Sequence, residues 1–314
     1  MRIPALLSWV SGSHSTSLPA NTAIRPSVSL PQESVNNTQQ LQTPAKNPFL
    51  KQAISYLDLR NKLINYLMFK PTDIEYSHPS KSNIQYKDVL VTTPDGETLH
   101  GYYLPCPVST GVESVPVNKI MLFLHGYDKN VTSWFAACTN LQKHVPINAL
   151  IMDYRGYGQS TGTPSCKGLI TDALAMYQHL INNGYKGEDI SLYGQSLGSA
   201  VALELATRVK IQSIAIQSSY ISLRNLLKYH QPYIPSIFIK NDLFNPSELI
   251  KKINVPILIG HGSEDKISPL GNAYKLFDLA NEPKKLIILN GAGHGHLKNY
   301  LTEEYFETMK KLYS

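Results

Sequence analysis

Cysteine is scarce in this chain. Its 314 residues include three, Cys106, Cys138 and Cys166, an odd number with no CxxC spacing. That excludes a disulfide framework and points to a reducing compartment. Each thiol reads as a small buried or surface side chain. Long apolar runs are missing as well: no stretch reaches the roughly 18 residues of a membrane-crossing helix. The opening Ile3–Val10 stretch is short and carries Pro4 and Ser8, which makes it a poor signal peptide. The formal net charge is +6, yet there is no Lys/Arg-rich run, zinc-finger spacing or nucleic-acid motif. The charge therefore reads as diffuse surface, open to weak attraction by a membrane surface, with no nucleic-acid partner. The expected location is cytoplasmic or peripheral to a membrane.

Charge is scarcest in residues 11–48, which hold Arg25, Glu33 and Lys46 among many Ser, Thr, Asn, Gln and Pro. Such a segment buries too little apolar surface to offset its ordering entropy. Residues 1–48 are therefore expected to be a disordered polar tail, and 49–314 the folded domain. Ile54, Leu57, Leu63, Ile64, Leu67 and Met68 recur at helical spacing, and Pro71 ends that helix. The helix packs on the core or, with Tyr56, Tyr66 and Phe69 beside its apolar face, lies on a membrane surface.

Downstream the pattern alternates. Tyr86–Thr93 and Thr98–Leu104 predict a hairpin around Pro94-Asp95-Gly96. Strands are predicted at Lys119–Leu124, Ile147–Met152, Ile190–Tyr193, Ile211–Ile216, Pro256–Gly260 and Lys285–Leu289. Helices are predicted at Val131–Lys143, Lys167–Asn182, Leu197–Arg208, Gly271–Leu279 and Tyr300–Leu312. A hairpin followed by strand-helix units implies an α/β fold, with a mostly parallel central sheet and helices on both faces. Ligands in such sheets bind at the carboxyl ends of the strands.

Chemistry concentrates at those ends. Gly194-Gln195-Ser196-Leu197-Gly198 follows a short apolar strand and opens an Ala/Leu-rich helix. That is the setting of a nucleophile elbow, where a sharp turn needs small neighbours and leaves the Ser196 hydroxyl above the sheet. A nucleophilic serine needs a base, a carboxylate to orient the base, and oxyanion donors. Asp265 lies in the loop after the strand at Pro256, with Glu264 as local rival. His294 lies in Asn290-Gly291-Ala292-Gly293-His294-Gly295-His296, with His296 as runner-up base. The strand ending in Leu124 runs into His125-Gly126-Tyr127, so the Tyr127 amide reads as one oxyanion donor and that of Leu197 as the other. His125 and His261 then read as structural. The set calls for no cofactor. A metal on His294 and His296 finds no carboxylate or third His at ligand spacing.

Five segments in order resemble the α/β-hydrolase superfamily: His125-Gly126, Asp153-Tyr154-Arg155-Gly156-Tyr157-Gly158, Gly194-Gln195-Ser196-Leu197-Gly198, His261-Gly262-Ser263-Glu264-Asp265 and Gly291-Ala292-Gly293-His294. The nearest likeness is to the serine peptidase and lipid-hydrolase branch, with its depalmitoylating thioesterases and lysophospholipases, and it spans roughly residues 50–314. The resemblance implies an α/β-hydrolase fold with a short lid and a Ser196–Asp265–His294 triad. Two features depart from that branch. Residues 1–105 lack the cysteine cluster of its membrane-bound depalmitoylases, and Gly295-His296 stands where Asn-Asp is common.

Residues 218–250 read as the lid. Tyr220, Leu223, Tyr233 and Phe238 are its candidate substrate contacts, with Arg224, Lys228 and Lys240 favouring anionic or interfacial substrates. The expected reaction is hydrolysis of a small-molecule or lipid acyl ester or thioester. An aminopeptidase of the same fold and a non-catalytic interaction protein on this scaffold are the alternatives. Glu303, Glu304 and Glu307 near the terminus also resemble acidic C-terminal export signals, although an amphipathic closing helix explains them.

Overall fold

The structure is a computed structural model. It describes residues 68–107, 118–230, 232–233, 244–295 and 299–314, together with Lys62, Asn65 and Tyr66. Pro48–Ser314 forms one compact unit. The predicted tail lies outside the described residues, as does most of the helix expected before Pro71.

The elements follow the sequence periodicity closely. A two-residue strand, β1 (Lys70–Pro71), precedes the antiparallel hairpin of β2 (Lys87–Thr92) and β3 (Thr98–Leu104). Then come β4 (Ile120–Leu124), β5 (Asp128–Lys129), α1 (Val131–His144), β6 (Asn148–Met152) and α2 (Cys166–Asn182). β7 (Ile190–Gln195) leads into α3 (Leu197–Ala206), and β8 (Ser213–Gln217) into α4 (Leu223–His230) and the short α5 (Pro246–Leu249). β9 (Ile257–Gly262), α6 (Gly271–Leu279), β10 (Lys284–Leu289) and α7 (Glu303–Tyr313) complete the unit.

Eight strands form one sheet in the order β10-β9-β8-β7-β4-β6-β3-β2. β4, β6, β7, β8, β9 and β10 run parallel, and β3 pairs antiparallel with both β6 and β2. Side chains alternate across each strand, so β4 feeds two cores. Ile120, Leu122 and Leu124 pack with α2 and α3 on one face, including Leu169, Met176, Val201 and Leu203. Met121 and Phe123 pack on the other with α1 and α7, including Phe135, Leu141, Tyr305 and Met309. β4 is buried throughout, which matches its continuous apolar run, and β7 is buried throughout with Ser191 Oγ paired to Ser213 Oγ at 2.8 Å.

Three boundaries differ from expectation for local reasons. α7 begins at Glu303 rather than near Tyr300, because the Thr302 hydroxyl accepts from the Tyr305 amide and caps the helix there. Strands β7 and β9 each run two residues further than predicted, to Gln195 and Gly262, because their parallel neighbours extend the ladder. α4, β1 and β5 were not anticipated as separate elements. β1 and β5 pair only with each other, Lys70 opposite Asp128 and Pro71 opposite Lys129, and two residues carry too little pattern to read.

Candidate active site

The carboxyl ends of β4, β7, β8, β9 and β10 converge on Ser196. Its backbone has φ 54° and ψ −115°, a conformation sparsely populated for a residue with a side chain. The turn holds because its surroundings over-determine it. The Ser196 amide donates to the Gln217 carbonyl on β8, and the Ser199 amide donates to the Ser196 carbonyl. A Cβ on Gly198 would fall onto the Leu124 carbonyl oxygen, and one on Gly194 onto the Gly198 carbonyl. Both glycines are therefore required by close backbone approach.

The other two expected residues reach the same point. His294 Nε2 lies 2.9 Å from Ser196 Oγ, and His294 Nδ1 lies 2.7 Å from Asp265 Oδ2. Asp265 is buried and the neighbouring Glu264 is exposed, which separates the two acids that the sequence left side by side. Its second oxygen, Oδ1, accepts from the amides of Ile267 at 2.9 Å and Ser268 at 2.7 Å, closing an Asx-type turn. Burial pushes this carboxyl up. The His294 hydrogen bond and charge, the Ser268 amide and the nearby His261 outweigh burial and hold it below the ordinary aspartate range. The acid and base loops are tied together, since the Ser263 amide donates to Leu289 O and the Glu264 amide to Ala292 O. His296, the runner-up base, lies outside the described residues.

Around this core sit residues that sequence reasoning missed. Ser268 is a junction: its carbonyl lies 2.7 Å from His261 Nε2, and its hydroxyl donates to the Ser219 carbonyl at 2.6 Å. Ser199 Oγ stands 2.7 Å from Ser219 Oγ and 2.5 Å from the Ser196 carbonyl. This chain of hydroxyls links the acid loop to the base of the elbow. The only signal in the sequence was the run of small hydroxyl residues at 218, 219 and 268 beside strand ends. His261 and His125 are both fully buried. Burial lowers the His261 pKa against the opposing pull of the Ser268 carbonyl and Asp265. His125 Nδ1 lies 2.8 Å from the Gly126 carbonyl, which ties the ring to the chain just past the end of β4.

A cavity of about 260 Å3 opens beside the serine. Ser196, Leu197 and Tyr127 line it together, and among the described residues neither the Tyr127 nor the Leu197 amide donates to an acceptor. Leu197 N–H is the first amide of α3, where orphan donors and the helix dipole favour developing negative charge. Met68, Tyr220, Leu226, Leu227 and Ile267 form the apolar wall, with Lys70 and His230 beside them. Of the expected substrate contacts, Tyr220 lines this cavity. Leu223 does not; it is fully buried and packs into the core behind α4. Tyr233 is 94% exposed and lines no part of the cavity. Phe238 lies outside the described residues. An amphipathic helix turns alternate leucines to core and cavity, so the lid's apolar list divides in two. No group of three or more His, Cys, Asp and Glu among the described residues could hold a metal ion.

Comparison with known proteins bears on the family and the fold. Residues 115–237 match the family model for serine aminopeptidase, S33. An uncharacterised protein of Mycobacterium tuberculosis is 32% identical over 221 residues, covering 69% of this chain and 75% of its own length. The human alpha/beta hydrolase domain-containing protein 17B is 27% identical over 243 residues, covering 77% and 79%. The chain belongs to the α/β-hydrolase superfamily. The esterase Pf2001 of Pyrococcus furiosus shares its fold, with a TM-score of 0.62 and 23% identity over 78% of this chain and 97% of that one. Ser196, Asp265 and His294 follow one another in that order along the chain. Among the described residues no helix is long and apolar enough to cross a membrane.

Proposed function

We propose that this α/β hydrolase is a serine hydrolase that cleaves acyl esters or thioesters through an acyl-enzyme. The observation that carries the reading is the continuous line Ser196 Oγ–His294–Asp265, with spacings of 2.9 and 2.7 Å. Ser196 Oγ attacks the acyl carbon while His294 Nε2 takes its proton. The Tyr127 and Leu197 amides hold the oxyanion, and the alcohol or thiol leaves with the proton returned by His294. Water then attacks the acyl-enzyme by the same route and releases the acid. Asp265 keeps the Nδ1 proton of His294 in place and stabilises the imidazolium. The apolar wall of Met68, Leu226, Leu227 and Ile267 suits an acyl chain. The cavity lies just below the range typical of pockets that enclose a drug-sized ligand, which favours short to medium chains.

One observation bears on a second reading. The matched family model describes aminopeptidases, which must hold a cationic N-terminal amine. The described cavity wall contains no Asp or Glu and does contain Lys70. That arrangement supports ester or thioester hydrolysis over aminopeptidase action.

A fluorophosphonate probe tests the reading. It is expected to label Ser196 in the folded protein and to leave Ser196→Ala unlabelled. p-Nitrophenyl esters of increasing chain length are expected to be cleaved, with kcat/KM highest at medium length and lost in Ser196→Ala. An intact protein that does not label refutes the enzyme reading and favours a scaffold role. Faster turnover of aminoacyl p-nitroanilides than of esters favours the peptidase.

A further inference from the structure

Among the described residues, neither Arg224 nor Lys228 lines the cavity beside the serine. Lys70 does, 126 positions before the serine, and no acidic side chain among the described residues lines the same cavity. We propose that Lys70 selects acyl esters or thioesters that carry an anionic oxygen group, such as a carboxylate, close to the scissile bond. This rests on the serine hydrolase reading above and specifies its substrate class.

Lys70 is held where such selection is possible. Its backbone amide donates to the Tyr127 carbonyl at 3.0 Å. The Tyr157 hydroxyl donates to the same carbonyl at 2.7 Å and so braces it from the other side. Met68 and Phe69, the two residues before the lysine, are buried, and Pro71 after it has a fixed φ. The main chain at Lys70 is thus attached to the residue whose amide faces the developing oxyanion. The ammonium lies 5.8 Å from the centre of the Tyr127 ring, in cation–π range. Asp128 stands opposite Lys70 in the strand register, but the two form no ion pair, and Lys70 has none with any described residue.

The neighbouring element has the same sign. α4 reads Leu223-Arg224-Asn225-Leu226-Leu227-Lys228-Tyr229-His230, with cations and no acid. Its leucines turn inward, and His230 donates from Nε2 to the Ile267 carbonyl at 2.8 Å, fastening the helix end to the loop after β9. Of the two acids in that loop, Asp265 is buried behind His294 with both oxygens occupied, and Glu264 is exposed and outside the cavity lining. Among the described residues a ligand in the cavity therefore meets a largely apolar wall and one lysine, whose main chain is anchored and whose side chain is exposed. A cation beside low-dielectric walls attracts an anion more strongly than it would in open solvent.

The test compares 4-nitro-3-(octanoyloxy)benzoic acid with its methyl ester, a pair that differs by one carboxylate charge beside the same ester. The quantity read is the ratio of kcat/KM for the acid to that for the methyl ester. In Lys70→Met this ratio is expected to fall roughly threefold, the scale of one partly exposed ion pair, and in Lys70→Glu to fall further. In 1 M salt, where screening acts within about 3 Å, the wild-type ratio is expected to approach that of Lys70→Met. A ratio unchanged across the three proteins overturns the proposal while leaving ester hydrolysis intact. If no ester is cleaved and Ser196 does not label, the hydrolase reading fails instead. Calorimetric binding of octanoate and octanol to Ser196→Ala, with and without Lys70→Met, still reads the site in that case. A fall in the octanoate-to-octanol affinity ratio on losing Lys70 supports the cation's role, and an unchanged ratio overturns it.

Discussion

Asp265 and Glu264 differ by one methylene and one position, and their fates diverge completely. Asp265 points inward, where two amides and an imidazole saturate its oxygens, and Glu264 points to solvent. If the carboxylate orients His294, Asp265→Asn should lower kcat by roughly 10^3–10^4 with the fold intact, whereas Glu264→Gln should stay near wild type. Steady-state kinetics on a p-nitrophenyl ester measure this. The same carboxyl also links stability to pH. Its folded pKa is depressed, so its contribution is present above the unfolded aspartate value of about 3.9. That contribution is lost as pH falls from there through the folded value. Urea midpoints of wild type and Asp265→Asn should therefore differ fully at neutral pH and converge below about pH 4. A gap that stays constant into acid contradicts the depressed pKa. The three residues that meet in the candidate site, Ser196, His294 and Asp265, were legible as candidates because each sits at a strand end. Position in the loop alone does not separate Asp265 from Glu264; the resemblance favours Asp265, and burial distinguishes the two. Lys70 was not legible, because nothing local marks a lysine before a proline as lying beside a serine 126 residues later.

Between elements, the hairpin and α2 are joined by one side chain. Arg155 donates to Asp172 through Nε and Nη2, at 2.9 and 2.7 Å, and to Asp95 in the β2–β3 turn through both terminal nitrogens. Asp172 is fully buried. Hydrogen bonds from the guanidinium hold the Asp95 carboxyl far below the aspartate range. Replacing Arg155 by Met leaves Asp172 buried without its cation, a loss of about 3–5 kcal/mol. Chemical denaturation should show it, and the exposed partner Asp95→Asn should cost clearly less. Equal effects from the two substitutions would refute the view that Asp172 sets the penalty. The arginine of the Asp153–Gly158 segment thus ties the turn of the leading hairpin to α2. Strand and helix positions were readable because apolar runs of five residues and amphipathic runs of nine or more leave little choice of element. α4 went unassigned as a helix because its leucines serve two neighbours, the core and the cavity, and hydrophobicity alone cannot say which.

For the whole molecule, the compact unit from Pro48 to Ser314 contains both cores and every described residue of the site. We expect a chain starting at Pro48 to keep the thermal midpoint of the full-length protein and to retain Ser196 labelling. A lower midpoint would mean that residues 1–47, despite their polar composition, support the fold. What the sequence determined by itself is the class of molecule. The buried runs demand a parallel sheet covered on both faces, and the Gly-flanked Ser196, the Asp265 loop and the Gly-rich His294 loop place the candidate site residues on its rim. These are local patterns, and each is decided within a dozen residues. The tertiary structure alone decided which residues face one another: Asp265 rather than Glu264 behind the imidazole, Ser268 and Ser199 beneath the elbow, Tyr220 but neither Leu223 nor Tyr233 at the cavity, and Lys70 in its wall. Those choices depend on strand register and on close packing between segments up to more than a hundred residues apart, and no pattern local to one segment encodes them.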